Sequence, residues 1–102
     1  MITRRLCEPL PQGINEEQTY AFYTTTWGKA PSNEVVKAYD ITDGTREEVS
    51  ETILSGDSNI NEDLITLPKV KGLEPNIIYR IEIQFDAEGD VFGTYFDIHS
   101  EY

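Results

Sequence analysis

From Ile77 onward the chain alternates in a way that leaves little choice of local structure. Ile77, Tyr79, Ile81, Ile83 and Phe85 stand on one parity, and Ile78, Arg80, Glu82, Gln84 and Asp86 on the other. This is the period of two expected from a β-strand with one buried and one wet face. Ala87, Glu88, Gly89 and Asp90 break the pattern with residues suited to a hairpin connection. A second strand is predicted over residues 91–99, with Phe92, Phe96 and Ile98 on one face and Tyr95, Asp97 and His99 on the other.

Upstream, residues 20–27 are dense in aromatic and β-branched side chains and read as a strand closed by Gly28. Residues 34–42 place Val35, Tyr39 and Ile41 on one face and end at the turn-forming pair Asp43-Gly44. Residues 49–54 and 63–67 are shorter strand candidates on either side of a polar loop at residues 55–59. Glu47 and Glu48 suit the opening of a helical turn, but the β-branched residues that follow and Gly56 argue against a long helix. Nowhere does an apolar spacing of three and four residues persist, so the expected class is all-β. Six strands are expected between Thr19 and His99, with room for a seventh in residues 1–18. Those first residues, carrying Pro9, Pro11 and Gly13, read as an arm or irregular edge segment. At 102 residues with 38% hydrophobic content, the chain suffices for one domain and one core.

The stretch Leu73-Glu74-Pro75-Asn76-Ile77-Ile78-Tyr79 resembles the L-x-P-x-x-x-Y segment before the penultimate strand of fibronectin type III domains, the tyrosine corner of immunoglobulin-like sandwiches. In that setting Leu73 plugs the end of the sandwich, Pro75 stiffens the crossing, and the Tyr79 hydroxyl bonds back to the upstream backbone. Ile81 stands where antibody domains place their second cysteine. Trp27-Gly28-Lys29-Ala30-Pro31, then Val36 and Tyr39-Asp40-Ile41, are similar to the tryptophan, loop proline and following strand of the same family. The resemblance covers about residues 19–99, while residues 55–68 depart from it. It implies a single immunoglobulin-like, fibronectin type III-like antiparallel β-sandwich of about seven strands at residues 19–102, preceded by the segment 1–18.

A further set of blocks, Tyr23-Thr24-Thr25-Thr26-Trp27-Gly28-Lys29-Ala30, Ala38-Tyr39-Asp40-Ile41-Thr42-Asp43-Gly44, Ile65-Thr66-Leu67-Pro68 and Tyr79-Arg80-Ile81-Glu82-Ile83, resembles small immunoglobulin-like proteins of tailed phages and prophages, nearest the fibre-to-tail adaptor group. That resemblance implies a virion structural role, in contact with tail or fibre proteins and without enzymatic chemistry.

Nineteen acidic against eight basic side chains give a net charge of -11, which repels polyanions and argues against nucleic acid or an anionic membrane as partner. Basic protein surfaces fit better. Arg4 and Arg5 form the local exception, and a basic arm on an acidic body suggests the arm of one copy meeting the acidic face of another. No apolar stretch suits a signal peptide or approaches the roughly 18 residues that span a bilayer. The expectation is a protein made in the cytoplasm and associated with the virion.

Cys7 and His99 alone cannot supply a zinc site, no cofactor is expected, and no nucleophile sits in a recognisable elbow. Asp57, Asn59, Asn61 and Asp63 share the alternate spacing that begins an EF-hand loop, but Glu62 replaces its turn glycine and Pro68 its bidentate glutamate. An ordinary polar loop is expected, with a cation site completed by Asp86, Glu88 or Asp90 as the competing reading. Tyr23, Tyr95 and Tyr102 could form a sugar-stacking or protein-binding patch, against which stands ordinary cross-strand packing. The leading expectation is therefore a non-enzymatic adaptor, and the alternative a carbohydrate- or ligand-binding sandwich assisted by calcium.

Overall fold

The structure, a computed structural model, describes residues 4–101. In chain order its elements are β1 (Arg4–Arg5), β2 (Leu10–Gly13), β3 (Ala21–Tyr23), β4 (Ser32–Asp40), β5 (Glu47–Glu48), α1 (Ser50–Ile53), β6 (Leu54–Ser55), β7 (Asn59–Asn61), β8 (Leu64–Thr66), β9 (Lys69–Val70), β10 (Ile78–Ala87) and β11 (Asp90–Glu101). A single 3-10 turn, Thr42–Gly44, lies between β4 and β5.

The alternating run becomes the centre of the molecule. β10 and β11 pair antiparallel from Ile78↔His99 to Ala87↔Asp90. Glu88 (φ 50°) and Gly89 (φ 86°) make the connection with two residues in the left-handed region, the geometry whose twist matches the flanking strands. Tyr79, Ile81, Ile83, Phe85 and Ala87 point inward from β10, and Thr94, Phe96, Ile98 and Ser100 from β11. β4 joins the other side of β10, from Tyr79↔Asp40 to Asp86↔Ser32, with a bulge between Gln84 and Asp86. β5 extends that edge through Tyr39↔Glu48.

On the far side of β11, the N-terminal segment adds two short strands. β1 pairs with Thr94 and Tyr95, and β2 pairs with residues 98–101, both parallel to β11. The large sheet is therefore mixed, where the sequence led us to expect antiparallel pairing throughout. Residues 4–13 contribute these edge strands, and the Gln12 side chain is buried.

A second layer covers the inner face. β3 pairs antiparallel with β8 (Phe22↔Ile65), and β8 with β7 (Ile60↔Ile65). β6 pairs with β9 (Leu54↔Val70), and Gln18 bridges to Val70. The layers meet through aromatic rings: Phe85 lies 6.0 Å from Phe22 and 6.2 Å from Trp27, and Tyr20 lies 5.3 Å from Phe96, while within the large sheet Phe85 stacks on its cross-strand partner Phe92 at 5.5 Å. Phe85 is fully buried at the middle of this cluster, and burial of such a side chain contributes about 1.5–3 kcal/mol.

The protein is thus all-β and sandwich-like, with a single one-turn helix among the described residues. Two local expectations change, and the shared face of Val35 and Tyr39 proves to be the outer one. The strand predicted over residues 20–27 stops at Tyr23, because the Thr24 hydroxyl donates to Gly28 O at 2.7 Å while the Trp27 and Gly28 N–H groups donate to Thr24 O. A side chain that bonds its own backbone competes with a ladder. Residues 49–54 hold α1 in place of a strand: the Ala38 N–H donates to Ser50 Oγ at 2.8 Å, and a helical turn follows that lets Ile53 reach the core. In β4 the parity set by β10 sends Val36 and Ala38 inward (Ile83↔Val36, Ile81↔Ala38), so Val35 and Tyr39 lie on the outer face.

Candidate functional site

Four surfaces carry the residues singled out by the sequence. The first is the corner ahead of β10. Leu73 and Tyr79 are buried and Pro75 is exposed. The Tyr79 hydroxyl accepts the Glu74 N–H at 2.9 Å. Burial raises the Tyr79 pKa, with the Glu74 backbone hydrogen bond opposing it. The Ser100 hydroxyl donates to Glu74 O at 2.6 Å and accepts the Ile77 N–H at 2.9 Å. The buried side-chain polar atoms of this corner all have hydrogen-bond partners within the chain.

The second surface is the outer face of the large sheet. Arg46 grips Glu82 with two hydrogen bonds of 2.6 and 2.9 Å and lies over the Tyr39 ring at 3.9 Å. Arg80 grips Asp97 at 2.8 and 3.1 Å and lies over the Tyr95 ring at 4.2 Å. The side-chain hydrogen bond to its carboxylate raises the pKa of each arginine. Both tyrosine faces are covered by guanidinium groups, the arrangement of a cation–π contact, and are not presented to a sugar ring. Tyr23 belongs to the other layer, on β3, and Tyr102 lies outside the described residues. Tyr23 and Tyr95 therefore do not share one platform.

The third surface is the loop end near the β10–β11 turn. Asp57 precedes β7, and Asn59 and Asn61 lie exposed on β7 itself. Asp63 accepts hydrogen bonds from Thr25 Oγ1 at 3.0 Å and from the Ala30 N–H at 3.1 Å. Glu88 accepts the Lys29 N–H at 2.8 Å, and Asp86 accepts Asn33 Nδ2 at 2.9 Å. Asp63, Glu88 and Asp86 thus hold the chain from Thr25 to Asn33, at the start of β4. Among the described residues, no group of three or more His, Cys, Asp or Glu side chains is arranged to hold a metal ion. His99 is exposed near the end of β11.

The fourth surface involves the N-terminal segment. Arg5 pairs with Glu8 at 3.3 Å with both side chains largely in water, and the Arg4 guanidinium lies 5.9 Å from the Phe92 ring centroid. Such exposed pairs contribute little. Cys7 is exposed, and partial burial raises its thiol pKa. Behind it lies an apolar groove of about 410 Å³ whose walls include Leu6, Leu10, Phe22, Trp27 and Phe96.

This groove exists because β1 and β2 follow β11 and leave β3 alone. Among the described residues β3 pairs only with β8. The Leu67 N–H donates to Tyr20 O, and the Thr24 N–H donates to Asp63 O, both at 2.8 Å. In an antiparallel ladder the alternate residues face the other way, so the backbone groups of Ala21 and Tyr23 point to the open side. Tyr23 is 69% exposed, the highest exposure of any large hydrophobic residue described. The missed signal was present in the sequence: Gln18 to Gly28 is the longest stretch without a charged residue in a chain that is 26% charged.

The fold and its surfaces thus define an all-β protein with an open, uncharged strand edge, that of β3, beside an apolar groove. No family model and no curated protein matches the chain.

Proposed function

We propose that this chain is a non-enzymatic structural or adaptor protein that works through protein–protein contacts, as a tail or fibre component of a phage or prophage virion. The observation that carries the contact role is the open β3 edge alongside the groove lined by Leu6, Leu10, Phe22 and Trp27. Natural edge strands are normally blunted by charge, proline or a covering element. An edge left bare beside apolar surface suits occupation by another chain.

The same reading takes the fold as an immunoglobulin-like sandwich of the fibronectin type III kind. Supporting it are the order β1/β2–β11–β10–β4–β5 opposite β3–β8–β7 and the Tyr79 corner. Placement in a virion rests on the sequence blocks around Trp27, Tyr39 and Tyr79. Its test is purification of assembled particles followed by quantitative mass spectrometry. The chain should co-purify at a fixed ratio to tail proteins; its recovery only in the free fraction would remove the virion role.

A further inference from the structure

We propose that two copies of this chain associate through β3, joining their smaller sheets edge to edge about a two-fold axis at Phe22. This rests on the reading that the chain acts through protein contacts and names the first such contact as a second copy of itself.

The backbone is self-complementary in one register. Ala21 and Tyr23 carry the outward-facing N–H and C=O groups of β3. With Phe22 on the axis, Ala21 of one copy stands opposite Tyr23 of the other, and each pair exchanges two hydrogen bonds. The four open N–H and C=O groups of each copy are then satisfied by the other.

The side chains fit the same register. Ala21 and Tyr23 project together on the exposed face of β3, while Phe22 faces the core. Each Tyr23 ring comes to lie over the small Ala21 of the second copy, so large meets small twice. On the inner side the two Phe22 rings meet at a non-hydrogen-bonded pair beside the Leu6 and Leu10 wall of the groove.

Charge selects this edge over the others. Each copy carries -11, so two copies repel wherever their charged surfaces approach. β1 is Arg4-Arg5, β5 is Glu47-Glu48, β9 contains Lys69, β2 contains Pro11, β6 is two residues long between Glu51 and Asp57, and β7 lies between Asp57 and Glu62. Only β3 lies inside the charge-free stretch from Gln18 to Gly28.

The sign of the salt effect separates this contact from the arm-to-body contact suggested by Arg4 and Arg5. Screening weakens attraction between a basic arm and an acidic face, but it relieves repulsion between two acidic bodies. Sedimentation velocity of the full chain over a concentration series, at about 0.05 M and about 0.5 M sodium chloride, tests the proposal. A dimer whose Kd falls as salt rises is expected. Ala21→Lys, at an exposed position, should weaken it by at least about tenfold, with unchanged circular dichroism and, at concentrations where both chains are monomeric, an unchanged thermal midpoint. Hydrogen exchange should show the Ala21 and Tyr23 amides protected in proportion to dimer.

A chain that stays monomeric at both salt concentrations overturns the proposal. So does a dimer indifferent to Ala21→Lys, or one that dissociates as salt rises. A monomeric chain that still co-purifies with particles would remove the dimer and leave the adaptor reading standing; a dimer absent from particles would do the reverse.

Discussion

The Tyr79 hydroxyl sits 2.9 Å from the Glu74 nitrogen and accepts its N–H, tying the start of β10 to the chain just ahead of it. The side chain is 3% exposed, so removing the hydroxyl leaves the Glu74 N–H without its partner. Tyr79→Phe should destabilise the fold by about 1–2 kcal/mol, read from the urea midpoint at unchanged m-value. Ser100→Ala, which removes the acceptor of the Ile77 N–H and the donor to Glu74 O, should cost a similar amount. A Tyr79→Phe midpoint equal to the parent would mean that water replaces the hydroxyl.

The same tyrosine sets an alkaline limit. Burial raises the pKa of Tyr79 and of Tyr20 above the ordinary value of 10.0. The neutral phenol is the form that the fold favours, so this contribution to stability is complete below the unfolded-state pKa and is lost as pH rises through the folded-state value. Unfolding free energy should therefore begin to fall above about pH 10. The fall should be shallower in Tyr79→Phe, and a slope unchanged by that substitution would show that other groups dominate.

Gln12 joins the N-terminal segment to both layers. Its amide donates to Val70 O at 2.9 Å and to Glu16 O at 3.1 Å, and accepts the Tyr20 hydroxyl at 2.7 Å. Gln12→Ala leaves buried polar groups without partners and should cost about 1–3 kcal/mol. A double-mutant cycle with Tyr20→Phe should give coupling of about 0.5–3 kcal/mol, since the two side chains share one hydrogen bond. Additive effects would place the stabilisation in the bonds to Val70 and Glu16.

How much of this was legible in the sequence depends on how local each cause is. The β10–β11 hairpin follows from alternation and from Glu88-Gly89, both contained in adjacent residues. The face of β4 does not, because Val35 and Val36 offer apolar residues on both parities, and the choice is made by Ile81 and Ile83 across the sheet. The turn at Ser50 depends on a hydrogen bond to Ala38, and the parallel pairing of β1 and β2 on a strand far along the chain. The charge-free stretch around β3 was readable. That β3 lies at an edge was not, because an edge is defined by where residues 4–13 go instead.

The two guanidinium clamps on the large sheet should differ in strength. Arg46 is 52% and Glu82 23% exposed, whereas Arg80 is 30% and Asp97 15% exposed. The drier pair is screened less by solvent and salt. Arg80→Ala should therefore destabilise by about 1–3 kcal/mol, leaving Asp97 without its hydrogen bonds, and Arg46→Ala should cost clearly less. Thermal midpoints at low and high salt check this; equal losses for both variants would show that cation–π packing on Tyr39 and Tyr95 matters more than the carboxylates.

Close packing at the end of the core gives the sharpest steric test. Gly28 is buried, and a Cβ there would lie 2.8 Å from Ala87 Cβ, closer than two carbons can approach. The neighbour is the last residue of β10, fixed by its pairing with Asp90, so relief requires backbone movement. Gly28→Ala should cost about 1–3 kcal/mol from overpacking, even though alanine is ordinarily the better residue for a folded backbone. Pairing it with Ala87→Gly removes the opposing methyl and should recover most of that loss, measured as non-additivity of urea midpoints. If the double variant is no more stable than Gly28→Ala alone, the constraint lies elsewhere: in the turn held by Thr24 Oγ1 on Gly28 O, and not in contact with Ala87.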